Sequence, residues 1–235
     1  MIAVLMNKKT TRPIVITIDG PAGVGKSTAA RGLARRLNAV FLDTGAMYRA
    51  VTLAAVERGI NPADTNAVAA LMDTCAFAFR PEADIMRVFV DGVEKTAAIR
   101  DPKITEQVRH VASAPALRAR LVAMQQAFAA GQDKVVTEGR DQGTVAFPDA
   151  PVKIFLTADP LERAHRRHKE LTDAGTEIEL ETILTQQQQR DASDEGRSVG
   201  PLKPAPDAIL LDTTHLSAEQ VVKQMETIVR ERIHE

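Results

Sequence analysis

The chain has 235 residues, of which 44% are apolar and 26% charged, with a formal net charge of -1. That apolar fraction supports a packed core and excludes a disordered chain, and the length fits one large domain or a core with one small appendage. A near-neutral balance argues against binding bulk nucleic acid or an anionic membrane through the whole surface, so any basic site must be local.

In chain order, the opening Met1 to Met6 run is too short for a signal-peptide core, and Lys8-Lys9 follows the apolar part where a leader would have it precede. No apolar run approaches the ~18 residues of a membrane span. The single cysteine, Cys75, has no partner for an internal disulfide or a zinc cluster and reads as a small buried thiol. A reducing, cytoplasmic home is the expectation.

Pro13 to Asp19 is a continuous β-branched run, the pattern of a strand buried on both faces. Lys26 to Leu37 has apolar residues at helical spacing, Val40 to Leu42 reads as a second strand, and Ala46 to Arg58 as a helix ended by Gly59. Phe77 to Phe79 and Met86 to Val90, the latter followed by Asp91-Gly92, carry a hairpin signal. Further strands are expected at Lys134 to Thr137, Val152 to Thr157 and Ala208 to Leu211. Further helices are expected at Ala116 to Ala130, Pro160 to Leu171, Glu179 to Arg190 and Ser217 to Ile233. Five buried strands separated by helices predict an α/β fold, a five-stranded parallel sheet flanked by helices. Residues 61–100 read as a small insert with an antiparallel sheet.

Gly20-Pro21-Ala22-Gly23-Val24-Gly25-Lys26-Ser27, with Thr28 beyond it, matches G-x-x-x-x-G-K-[ST] in full, after a strand and before a helix. Glycines let backbone N–H groups turn around a phosphate chain, and the helix N-terminus adds positive charge. Lys26 is expected to neutralise the β- and γ-phosphates from a solvated position, and Ser27 to offer its hydroxyl to Mg²⁺. Asp19, ending the strand before the loop, fits either a carboxylate that orders metal-bound water or a structural strand end. A switch GTPase is excluded, because neither Asp-x-x-Gly nor Asn-Lys-x-Asp occurs.

Three arginine-bearing clusters suggest that a second anion is gripped, as an anionic acceptor beside ATP requires. Asp43 to Arg49 opens a helix after a strand, as an anion-facing turn or as a capped helix with Arg49 solvated. Glu138 to Thr144 follows a strand at its carboxyl end, where open α/β sheets bind ligands, although a plain glycine turn has the same pattern. Pro160 to Leu171 carries Arg163, Arg166, Arg167 and Lys169 with His165 and His168, and Arg190, Asp194 and Arg197 follow at offsets of four and three. A helical run would put those three on one face, and the two segments together read as a flap over phosphates, with a merely solvated basic face as the alternative. The histidines read as surface residues.

At these residues the chain resembles the bacterial cytidylate kinases, of the nucleoside monophosphate kinase group of P-loop kinases. The resemblance is carried by Ile18 to Thr28, Asp43 to Arg49, Gly139 to Thr144, Phe147 to Leu156, Arg190 to Arg197 and Pro201 to Pro204, within residues 13 to 230. It implies a core over residues 1–60 and 101–235, a helical lid over about 160–200 and a monophosphate-binding insert over 61–100. It implies transfer of the γ-phosphoryl group of ATP to CMP or dCMP with Mg²⁺, in pyrimidine nucleotide metabolism.

By position, Thr44, Arg49 and Arg140 would hold the CMP phosphate side, with Tyr48 in the same pocket. Arg118 and Asp141 would read cytosine, Arg190 and Asp194 the ribose, and Arg197 the phosphates; Arg163, Arg166 and Arg167 would supply lid charge. Lys26, Arg163, Arg167 and Arg197 are thus the expected catalytic set. The chain departs from the family at Arg109, where a base-contacting Ser is common and which Ser113 could replace, and at Ser193, where some relatives have a basic residue. The acceptor phosphate is already anionic near neutral pH, so no general base is required. A kinase for UMP, shikimate or another small acceptor is the rival enzyme, and a non-catalytic nucleotide-sensing module the rival of another class. No nucleic-acid or membrane partner is expected, and a monomer is.

Overall fold

The computed structural model describes residues 12–82, 85–173 and 175–233; the opening Met1 to Met6 run lies outside them. The chain begins with β1 (Ile14–Asp19), α1 (Lys26–Arg36), β2 (Val40–Asp43) and α2 (Thr44–Glu57). Next come α3 (Thr65–Thr74), β3 (Phe77–Glu82), β4 (Ile85–Val90), β5 (Val93–Glu94), a 3₁₀ turn over Ala98–Arg100, α4 (Pro102–Ser113) and α5 (Pro115–Ala130). β6 (Lys134–Gly139), a π turn over Gln142–Ala146, β7 (Val152–Thr157), α6 (Pro160–Asp173), α7 (Leu180–Glu195), β8 (Ile209–Asp212) and α8 (Ala218–Ile233) complete it.

β2, β6, β1, β7 and β8 form one sheet in that order, with every neighbouring pair parallel. The expected five-stranded parallel core is therefore present. Its strands are mainly apolar along both faces because each face has its own core. Val15 and Val135 pack with α2 and α5 on one side, whereas Ile16, Ile18 and Val136 pack with α1 and α8 on the other. β1 lies centrally: the chain places β2 and β6 on one side of it and then crosses to place β7 and β8 on the other. Ligands of open α/β sheets bind at the carboxyl ends of strands at such a point.

The second sheet, β3-β4-β5, is antiparallel, and Asp91-Gly92 makes the two-residue turn between β4 and β5 with Val90 opposite Val93. Val68, Leu71, Met86, Val88, Val90 and Ile99 join the core that contains α2 and α5, so residues 61–100 pack against one half of the main sheet.

Two helices have no counterpart in the sequence expectations. α3 is short and starts at an Asp64 cap on Ala67 N–H, and α4 buries only Ile104 and Val111. Both were hidden because two buried residues in 10 or 12 leave little periodic signal. α2 begins two residues before the expected Ala46, because the Asp43 side chain accepts from Ala46 N–H and caps it. α7 continues past Arg190 to Glu195.

Candidate active site

The glycine-rich loop joins β1 to α1, and Gly23 and Gly25 adopt φ of 81° and 86°, which side-chain-bearing residues rarely sustain. Lys26 is the first residue of α1. It is buried, at 6% exposure, where a solvated loop lysine was expected. Its Nζ donates to the Pro21 carbonyl across the loop at 2.6 Å. Burial, and then the positive charge of Arg140, hold its pKa well below the ordinary lysine value, while Glu138 and Asp19 act in the opposite direction. The sequence misses this because the loop's walls come from distant segments.

Ser27 Oγ donates to Glu138 Oε1 at 2.6 Å, which places a hydroxyl and a carboxylate oxygen side by side at the ends of α1 and β6. Thr44 Oγ1 donates to the Glu138 backbone carbonyl at 2.7 Å, so the first turn of α2 is fastened to the same strand end. Glu138 was in one of the expected clusters but had no assigned role. A carboxylate ending the strand beside β1 was the signal available.

Asp19 is buried, and its two carboxylate oxygens accept from Gln142 N–H at 2.9 Å and Gly143 N–H at 2.8 Å. Of its two readings, the structural one fits, since both oxygens hold the turn that follows Asp141. Burial pushes its pKa up to about 6, against the lowering effect of those N–H groups. A carboxyl pKa raised on folding favours the protonated folded form. Its contribution to stability is therefore greatest below the unfolded value of 3.8 and is lost as pH rises through about 6. Asp19→Asn is expected to remove that slope. Chemical denaturation from pH 4 to 7 should show the variant gaining up to ~3 kcal/mol on the wild type. Parallel curves would contradict it.

The arginine clusters converge. Asp194 accepts from Arg140 Nε at 2.7 Å and from Arg197 Nη2, which lies beyond the α7 terminus rather than on its face. Those guanidinium groups hold the Asp194 carboxyl below its usual range, although burial opposes them. Arg190, one turn earlier, is exposed. Arg49 pairs with Asp43 at 3.5 Å, and Arg100, at the end of the 3₁₀ turn, reaches the other oxygen of Asp43 at 3.6 Å. Arg100 was not among the expected residues, because nothing in the sequence brings it to Asp43.

Arg118 donates from Nη2 to Asp141, and both side chains are almost wholly buried, at 4% and 7% exposure. Arg118 also donates to the Ala112 carbonyl at 2.9 Å, and its guanidinium lies 5.7 Å from the Tyr48 ring centre. Burial raises the Tyr48 pKa to about 12, although Arg118 lowers it in part. The pair is backed by Gly200 at φ 62°, where a Cβ would collide with Asp141 Oδ2 and Arg118 Nη2. The Nε atoms of Arg49, Arg118 and Arg197 are buried without a hydrogen-bond partner, so three guanidinium groups keep unused donors around this region.

Further along α6, Arg167 is half-exposed and pairs with Glu170 at 3.0 Å, and Arg166 donates to the Thr213 carbonyl at 2.6 Å. Arg163 lies elsewhere: it is buried against the glycine-rich loop with Asp191. Arg109 and Ser113 are both exposed, and the Ser113 hydroxyl donates to the Arg109 carbonyl at 2.8 Å. Ser193 is exposed too.

The family model of cytidylate kinase matches residues 16–231. A cytidylate kinase of Mycobacterium avium is 46% identical over 221 residues, covering 93% of this chain and 96% of that protein. One from Rhodopirellula baltica is 44% identical over 218 residues, covering 93% of each. Among solved structures, a shikimate kinase from Bacteroides thetaiotaomicron is 13% identical with a TM-score of 0.46, over 92% of this chain and 98% of that one.

Proposed function

The chain belongs to the cytidylate kinase family, and from that premise we propose how its residues divide the work. It transfers the γ-phosphoryl group of ATP to CMP or dCMP, giving CDP or dCDP and ADP; neither a shikimate or UMP kinase nor a nucleotide-sensing module is favoured. The loop Gly20 to Thr28 takes the ATP phosphates through its N–H groups and Lys26. Thr44, Arg49 and Arg140 take the acceptor phosphate, Arg118 and Asp141 the cytosine, Tyr48 the wall behind them, and Arg190 and Asp194 the ribose. Arg197 and Arg167 bring positive charge to the transferred group, and closure of residues 160–200 excludes water.

Ser27 Oγ and Glu138 Oε1 are two hard oxygen donors, as Mg²⁺ prefers. Among the described residues no group of three or more His, Cys, Asp or Glu could enclose a metal. An ion held by one or two protein oxygens with phosphate and water completing its shell fits that arrangement. When bound, Mg²⁺ neutralises phosphate charge. The protein's share is to align acceptor oxygen and phosphorus and to surround the transferred group with guanidinium and ammonium donors.

The observation that carries this reading is the buried Arg118–Asp141 pair, a donor and an acceptor of the kind a cytosine edge needs. ADP release, measured with CMP, dCMP, UMP, AMP and shikimate as acceptors, tests it. Rapid release with CMP and dCMP is expected, with the others far slower; failure of all five acceptors to give ADP would remove the kinase reading. We place the residues 61–100 on the acceptor side, because their core is shared with α2. A cytoplasmic location belongs to the same proposal, resting on Cys75 as the single, buried cysteine, and so does a monomer. No helix among the described residues is long and apolar enough to cross a membrane.

A further inference from the structure

The helices α6 and α7 hydrogen-bond to the glycine-rich loop at Ala22. Arg163 on α6 donates from Nη1 to the Ala22 carbonyl at 3.0 Å and to Asp191 Oδ2 at 2.5 Å. Asp191 on α7 accepts the Ala22 N–H at Oδ1, 3.3 Å away. Both backbone polar groups of Ala22 are therefore held by one ion pair, whose members come from two helices. Gln187, one turn before Asp191, donates from Nε2 to the Arg163 carbonyl at 3.2 Å. The same Nε2 lies 2.8 Å from where a Cβ on Gly23 would be, so the clasp closes directly over the next loop residue. The pair is at 7% and 11% side-chain exposure, unlike Arg167 on the same helix at 50%.

A basic helix facing water would not look like this. Burying two charges costs desolvation, and an apolar pair of similar volume would join α6 to α7 at least as well. What the ionic pair adds is a donor for the Ala22 carbonyl and an acceptor for its N–H. We propose that Arg163 and Asp191 are positioning residues, which fix the Ala22 peptide groups and so set the turn from which the following loop N–H groups face the polyphosphate. Arg163 then acts through the loop rather than on the transferred phosphoryl group. The inference rests on the reading that this loop takes ATP. A loop already ordered loses less conformational freedom when ATP arrives, so the clasp serves ATP affinity and leaves CMP affinity alone.

The test is isothermal titration of ATP and of CMP, each separately, into the wild type, Asp191→Asn, Arg163→Gln, Arg163→Lys and the double variant Arg163→Met/Asp191→Leu. Each charge-removing single variant is expected to weaken ATP binding about tenfold, the size of one hydrogen bond, with CMP within about twofold. Arg163→Lys, which keeps a charged donor, should recover part of the loss. The double variant removes both buried charges, so its Tm should recover toward wild type while ATP binding stays weak. ATP affinity within about twofold of wild type in the single variants overturns the inference. So does a double variant that regains ATP affinity along with Tm, since the pair would then serve only the fold. A wild type that fails to bind ATP overturns the ATP reading and the inference together, whereas unchanged variants beside a wild type that binds overturn the inference alone.

Discussion

Lys26→Met is expected to lower kcat by on the order of 10²–10³-fold or more, the loss seen when one preorganised donor to a developing charge is removed. The variant should stay folded. The Lys26 ammonium is buried against the Pro21 carbonyl, and burial with Arg140 nearby disfavours its charge. A polyphosphate in the loop reverses that balance, since its negative charge stabilises the ammonium. The interaction is strongest when charge is passing to the leaving group, so its loss falls on the transition state. For the fold, methionine keeps most of the apolar stem, gives up one hydrogen bond and removes a buried charge. Those changes oppose one another, and Tm should move by only a few degrees. Circular dichroism and a coupled ADP-release assay decide it: an unfolded variant, or one with near-normal turnover, would remove Lys26 from this role.

The second large effect concerns choice of base. Asp141→Asn is expected to narrow the CMP to UMP ratio of kcat/KM by on the order of 10–10²-fold, chiefly through lost CMP activity. Cytosine presents an N4 amino donor beside the N3 and O2 acceptors, and uracil presents O4 and an N3–H in their place. A carboxylate accepts from N4, and the Arg118 guanidinium donates to O2 or N3. Uracil would set O4 against the carboxylate, two acceptors facing one another in a site where neither can turn to water. An asparagine amide can turn an N–H toward O4 and relieves that conflict. The side chains are nearly enclosed and Gly200 presses on both, so the pair has little room to re-aim. If Asp141 only orients Arg118, both substrates lose equally; an unchanged ratio in a folded variant would exclude base reading by Asp141.

Much of this was legible in the chain itself. The phosphate-binding loop is contiguous, and its glycines, lysine and serine follow one another under a local backbone requirement. Strands β1, β6 and β7 were legible because burial on both faces demands short runs rich in apolar and β-branched residues, which a sequence displays directly. Asp91-Gly92 was legible because few residue pairs accept that turn. α4 was not, since a helix covering the edge of the core needs only Ile104 and Val111 to be apolar. Nor were the contacts that make the site: Ser27 with Glu138 is separated by 111 residues, and Asp19 with Gly143 by 124. The basic helix α6 shows why. Arg163 and Arg167 are the same residue type one turn apart, yet one is buried against Ala22 and the other stands in water beside Glu170. Local sequence set the helix and its charges, because backbone propensity and side-chain period act over a few residues. Which charge became buried, which carboxylate met it and how far its pKa moved depended on walls brought by α7 and the glycine-rich loop, since desolvation and pairing are properties of the closed three-dimensional packing.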